Sequence, residues 1–113
     1  MQAECDPNLI VYFNGEYVPM REARVGILTH ALHYGTGVFE GIRAHWVPTD
    51  EDLFILRAHE HYERWKQNCG NLRIQVPATV TELCAITVEL MRRNAFDNNV
   101  YVRHLAYTSA QPV

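Results

Sequence analysis

Apolar and polar positions alternate over residues 38–46, and this period of two predicts a β-strand. One face of that strand carries Val38, Glu40, Ile42, Ala44 and Trp46; it is mostly apolar and reads as core. The other carries Phe39, Gly41, Arg43 and His45, because successive side chains point to opposite sides. Upstream, the apolar-rich stretches 9–13 and 16–18 flank Asn14 and Gly15. That dipeptide suits the positive φ angles of a two-residue type I′ turn, so a β-hairpin is expected, closed by Pro19. Residues 20–29 have no clean period and are expected to form a connection with a short helical turn. Residues 47–52, with Pro48 and three acids, predict a surface turn. Residues 53–56 then predict a short strand, antiparallel to the 38–46 strand.

The period changes after residue 57. Ala58, Tyr62, Trp65 and Cys69 recur at helical spacing and predict a helix over residues 58–69, with Gly70 placed as its C′ residue. A second, polar stripe of Arg57, His61, Arg64 and Asn68 runs beside the apolar one. Thr79 and Glu82 form a capping box just after Pro77, which predicts a second helix from Val80 to about Arg93. Arg92 and Arg93 then lie at the negative end of its dipole. Residues 99–108 are rich in β-formers and place Tyr101, Arg103, Leu105 and Tyr107 on one face. These elements predict an α+β domain, an antiparallel sheet with two helices packed on one side as a two-layer sandwich.

Length and composition narrow the function classes. A chain of 113 residues is expected to form one domain. The net charge of −3 offers no electrostatic footprint for nucleic acid. No apolar run is long enough to cross a bilayer, and the first residues, MQAECDPN, lack the basic and apolar regions of a signal peptide. Cys5, Cys69 and Cys84 are dispersed, without disulfide or metal spacing, which fits a reduced, cytoplasmic compartment. Of the six histidines, His30 and His33 stand at i, i+3 and His59 and His61 at i, i+2, but spacing fixes no third ligand. No metal is expected; His30 and His33 are read as histidines that hydrogen-bond loop backbone.

Three places could carry chemistry. Phe39, Gly41 and Arg43 present a phenyl wall, a missing side chain and a cation on one strand face, suited to a ligand with apolar and anionic parts. A half-buried strand with Arg43 in an ion pair fits the same pattern. Arg64 could grip a phosphate or carboxylate through two parallel hydrogen bonds, or be a solvated arginine paired with Glu60. Tyr101 and Arg103 point the same way and could recognise a carboxylate, or Arg103 could take part in a cross-strand salt bridge. Cys69 lies on the apolar stripe and reads as core. The glycines of HYGTGVFEG precede a strand, not a helix, and so do not match a nucleotide-binding pattern.

The block HALHYGTGVFEGIRA, the segment LFILRAHEHYER and the strand YVRH together resemble class IV (fold-type IV) pyridoxal-phosphate-dependent aminotransferases. Among these the resemblance is to branched-chain amino acid aminotransferases of the bacterial type. It runs from the YFNGEYVP hairpin to Thr108 and corresponds to their small N-terminal domain. It implies transfer of an amino group between L-leucine, isoleucine or valine and 2-oxoglutarate, with pyridoxal 5'-phosphate as cofactor. Arg64 then matches the arginine that holds the cofactor phosphate. Phe39 and Tyr34 match walls of the side-chain pocket, Tyr34 serving the active site of the partner subunit in a homodimer. Gly41 and Arg43 match cleft-lining positions. Tyr101 and Arg103 match carboxylate-binding residues, with the distal carboxylate of glutamate near Arg103. His104 departs from the pattern, since many relatives have proline there.

In that family the lysine that forms a Schiff base with the cofactor lies in a larger C-terminal domain. The one lysine here, Lys66, matches no catalytic position. The chain is therefore expected to be an N-terminal domain that is inactive alone. D-amino acid aminotransferases and aminodeoxychorismate lyases of the same class differ in the HYGTGVFEGIR block and the YVR strand. A non-catalytic ligand-binding domain is the alternative from another class.

Overall fold

The computed structural model describes residues 6–109. Cys5 and the reading of the N-terminus as lacking a signal peptide lie outside them. The hairpin forms from β1 (Ile10–Phe13) and β2 (Glu16–Pro19), with Asn14 at φ 49° and Gly15 at φ 90°, both positive as its two-residue turn requires. A 3-10 turn follows at Met20–Glu22, within the segment expected to hold one. The long strand β3 spans Gly37–Val47 and pairs antiparallel on one side with β4 (Asp52–Ile55) and on the other with β5 (Val100–Tyr107).

The expected single sheet is in fact two: the hairpin stands apart from the three-stranded sheet β4-β3-β5. Two helices, α2 (Ala58–Asn71) and α3 (Val80–Asn94), complete the layer. The hairpin is attached to α3 through side chains. Asn94 at the end of α3 accepts from the Ile10 N–H (2.8 Å) and donates to the Ile10 carbonyl (2.9 Å), taking the place of a neighbouring strand. The Arg93 guanidinium lies 4.1 Å from the centre of the Tyr17 ring.

The core lies between the sheet and the helices. Ile42, Ala44 and Val102 from the sheet are buried with Tyr62, Trp65 and Cys69 of α2 and Leu83, Thr87 and Met91 of α3. Tyr62, Thr87 and Trp65 pair their polar atoms within it. The Thr87 hydroxyl donates to the Leu83 carbonyl (2.8 Å) and accepts from the Tyr62 hydroxyl (2.5 Å). Trp65 Nε1 donates to the Val38 carbonyl (2.9 Å), fastening α2 to β3. The α3 cap forms as the capping box predicts: the Glu82 N–H donates to Thr79 Oγ1 (3.1 Å).

Three local expectations are corrected. Gly70 is not the C′ residue, because α2 continues to Asn71 and Arg73 takes the left-handed position at φ 58°. Cys69 is fully buried and holds the last turn against the core, so the chain leaves the helix only beyond it. Arg57 does not join the polar stripe; it precedes α2 in a left-handed conformation at φ 51°. A further helix, α1 (His30–Tyr34), stands between the expected connection and the expected strand, in residues to which the pattern assigns no element. Five residues are too few to show a period. Its start is held from outside, where the Ala31 N–H donates to the Thr108 carbonyl (3.1 Å), and its end is capped by Gly35, at φ 66°, which donates to the Ala31 carbonyl (3.0 Å).

His104 points inward from β5, its ring centre 4.6 Å from that of Tyr62 and 4.8 Å from that of Trp65. Neither ring nitrogen has a hydrogen-bond partner among the described residues. Burial holds its pKa at about 4, below the ordinary 6.5. The unfolded chain therefore takes up this proton first. Stability is expected to be full above pH 6.5 and to fall as the pH drops from 6.5 towards 4. His104→Phe, which keeps an aromatic ring between Tyr62 and Trp65, should flatten that slope; urea midpoints measured across the interval check it.

Candidate functional site

The β3–β5 pairing sets the site. Gly41 lies opposite Arg103, Arg43 opposite Tyr101 and Phe39 opposite Leu105. Because the alternate residues of both strands enter the core, these six side-chain positions share the face turned away from α2 and α3. Phe39, Tyr101 and Leu105 are 57%, 55% and 54% exposed, a half-open apolar surface. The Arg103 guanidinium lies 4.3 Å from the centre of the Phe39 ring and 5.7 Å from that of Tyr101, so a cation rests on two aromatic faces. Among the described residues neither Arg43 nor Arg103 forms an ion pair, which removes the salt-bridge alternatives for both within that range.

Gly41 provides a gap, as read, but Tyr101 fills it. A Cβ at Gly41 would overlap the Tyr101 ring and hydroxyl. Tyr101 leans along the sheet from its place opposite Arg43 and lays its phenol on the glycine backbone. Beside Phe39 and Leu105 a shallow cavity of about 300 Å³ runs to Leu32, Gly35 and Tyr107. Tyr34 is outside it: the ring is exposed on α1, edge-on to His30 at 5.4 Å. His33 Nε2 lies 2.7 Å from the Ile27 carbonyl, as expected of a loop-bonding histidine, whereas His30 meets the Tyr34 ring.

Arg64 is on the opposite side of β3. Its Nε and Nη2 donate to Glu40 Oε2 and Oε1, both at 2.9 Å, and not to Glu60. His61 Nδ1 lies 2.5 Å from the same Oε1. The Glu40 side chain is 13% exposed and that of Arg64 64% exposed. Glu40 thus sits on the core face as predicted, but as an ionised carboxylate. The Arg64 hydrogen bonds, helped by His61, hold its pKa at about 2 against the opposing effect of burial. The pattern signal for this cluster was present: Glu40 is the one charged residue on an otherwise apolar strand face, and His61 and Arg64 are one helical turn apart.

Other candidates are accounted for. Lys66 Nζ donates to the Ala78 carbonyl (2.6 Å), tying α2 to the loop before α3. Cys69 is buried in the core, and burial raises its pKa. No three metal-ligating side chains gather among the described residues, and no helix among them is long and apolar enough to cross a membrane.

No protein-family model matches the chain. It is 44% identical over 96 residues to a probable branched-chain-amino-acid aminotransferase of Aquifex aeolicus, a match covering 85% of the chain and 31% of that relative. Among solved structures, the T.th. branched-chain amino acid aminotransferase complexed with N-(5'-phosphopyridoxyl)-L-glutamate superposes with a TM-score of 0.86 at 38% identity, covering 97% of this chain and 36% of that one. The same enzyme has been solved with 4-methylvaleric acid. The branched-chain aminotransferase of Thermoproteus uzoniensis with norvaline gives a TM-score of 0.79 at 39% identity, over 87% of this chain and 33% of that one. The chain thus spans about a third of the length of the relatives it matches. By sequence and fold the chain is similar to branched-chain amino acid aminotransferases over 85–97% of its own length.

Gly41→Ala should expel the Tyr101 ring while changing stability by no more than about 0.5 kcal/mol, since the displaced ring is half exposed. NMR shifts of the Tyr101 ring and a urea midpoint check the two halves of that expectation.

Proposed function

We propose that this chain works as the N-terminal domain of a pyridoxal-phosphate-dependent branched-chain aminotransferase, exchanging the amino group between L-leucine, isoleucine or valine and 2-oxoglutarate. The observation that carries this reading is the Arg103 guanidinium resting on the Phe39 ring. A branched-chain enzyme must admit both an aliphatic side chain and the acidic one of glutamate. Phe39 and Leu105 supply an apolar wall, and Arg103 supplies a cation for the distal carboxylate. With an aliphatic substrate bound, the cation keeps its place on the aromatic faces and is not stranded in a dry pocket. The T.th. enzyme, solved both with 4-methylvaleric acid and with a phosphopyridoxyl-glutamate, supports such a dual site.

Arg64 fits the cofactor's phosphate. Its Nε and one Nη2 hydrogen are used by Glu40, which leaves the end of the guanidinium, Nη1 with the other Nη2 hydrogen, free to bind an anion. Pyridoxal phosphate, when bound, supplies the carbonyl that takes the amino group and the ring that accepts electrons. Tyr101 orients the substrate's α-carboxylate, and Arg43 and Gly41 line the cleft. Tyr34, exposed on α1, serves the partner subunit of a homodimer. The proton-shuttling lysine belongs to a second domain, so the chain alone should be inactive in the cytoplasmic reaction.

In the protein carrying that lysine, Arg64→Ala should weaken cofactor binding about tenfold to a hundredfold, the value of one charge-assisted hydrogen bond or more. Arg64→Lys should restore only part, since a point charge replaces a planar fork. Arg103→Ala should leave cofactor affinity intact and impair glutamate and 2-oxoglutarate more than leucine. Equilibrium titration of pyridoxal phosphate and half-reaction kinetics with each substrate test both. Normal cofactor affinity in Arg64→Ala, or equal losses for glutamate and leucine in Arg103→Ala, would refute the respective assignment.

A further inference from the structure

The assignment of Arg64 to the phosphate leaves the nearly buried carboxylate beneath it unexplained. Glu40 lies on β3, where its backbone is paired with His104 of β5, so its position is set by the sheet. Its two oxygens accept three hydrogen bonds: Oε2 from Arg64 Nε, and Oε1 from both Arg64 Nη2 and His61 Nδ1. His61 therefore fixes the carboxylate from α2 while the carboxylate fixes Arg64. The contact occupies the side edge of the guanidinium and leaves its end edge in solvent, on a side chain that is 64% exposed.

Resting on the phosphate reading above, we propose that Glu40, steadied by His61, is a positioning residue that holds the free edge of Arg64 in the orientation the cofactor phosphate requires. An exposed arginine has many rotamers, and ordering one opposes binding. The bidentate bond to Glu40 orders it beforehand, from a carboxylate whose backbone is held in the sheet. An opposing effect comes from the same group, because a carboxylate near a phosphate repels it. The two effects differ in sign, so removing the charge of Glu40 decides between them. Preorganisation predicts weaker phosphate binding, and simple repulsion predicts stronger binding.

The test compares pyridoxal phosphate with pyridoxal, which lacks the phosphate, by equilibrium titration of the full-length protein. Glu40→Gln keeps the shape and one acceptor, and Glu40→Ala removes both. Either should lower affinity for pyridoxal phosphate about tenfold, the size usual when a residue orienting a ligand-binding group is lost. Affinity for pyridoxal should not change. His61→Ala should give a smaller loss of the same kind. In an Arg64→Ala background, Glu40→Gln should cause no further loss, because the preorganising effect passes through Arg64 and only the repulsion is left to relieve.

Equal losses for the two ligands in Glu40→Gln would show that the carboxylate only fastens α2 to β3, and would overturn the proposal. Unchanged or tighter pyridoxal phosphate binding in Glu40→Gln, with a phosphate-selective loss in Arg64→Ala, would overturn the positioning role and leave the phosphate assignment standing. An unchanged preference for pyridoxal phosphate over pyridoxal in Arg64→Ala would remove the assignment itself, and the positioning role with it.

Discussion

The eight-pair antiparallel ladder from Gly37↔Tyr107 to Ala44↔Val100 determines everything else in this domain. Side chains on paired strands alternate between faces, so one register divides the residues into two sets. Ile42, Ala44 and Val102 go to the helices; Phe39, Gly41, Arg43, Tyr101, Arg103 and Leu105 go to the open face. A slip of one residue in β5 would turn its side chains over, burying Tyr101, Arg103 and Leu105 and exposing Val102. Core and site are therefore specified by the same constraint. The side-chain contacts of Trp65 with Val38 and of Asn94 with Ile10 then attach the remaining elements to that frame.

Glu40 is the exception on the core face, and its neighbours show how a charge is tolerated there. A carboxylate taken out of water is costly unless its oxygens are paired. Here a planar guanidinium and an imidazole satisfy it from the flank of α2, and the pKa of about 2 records how strongly the ionised form is favoured. The arrangement has a consequence for the helix side of β3. Arg64, which nothing in its own helix holds, becomes ordered by a group on a different element. His104, opposite Glu40 in the ladder, has the contrary environment: its ring is packed against Tyr62 and Trp65, and its nitrogens find no partner among the described residues. The same pair of strands thus holds one titratable group charged and the next one neutral.

The open face has a different physical character. Its aromatic residues are half exposed, its glycine is covered by a tyrosine of the same face, and its cation lies on ring faces and not on a carboxylate. A guanidinium held by cation–π contacts is stabilised without being neutralised, so it keeps hydrogen-bond donors for an incoming anion. That state suits the role proposed for this face, which is to accept an aliphatic ligand and an acidic one in turn.

Much of this was legible before any coordinates. The Asn14-Gly15 turn, the alternation over residues 38–46, the Thr79–Glu82 cap and the grouping of Tyr101 with Arg103 are local signals, carried by φ preference and by periods of two and 3.6. They determined the order of elements, the two faces of β3 and most of the candidate site residues. What the tertiary structure alone decided involves partners distant in sequence. Arg64 had Glu60 one turn away, yet pairs with Glu40, because packing α2 across β3 brings that carboxylate under its side edge. The hairpin could have extended the sheet, yet the Asn94 amide takes up the backbone groups of Ile10. The Gly41 gap could have stayed open, yet Tyr101 lies in it, an outcome of inter-strand register that no spacing within one strand records. Helix α1 and the extension of α2 belong with these: each is held by contacts outside its own segment, to Thr108 in one case and to the core around Cys69 in the other.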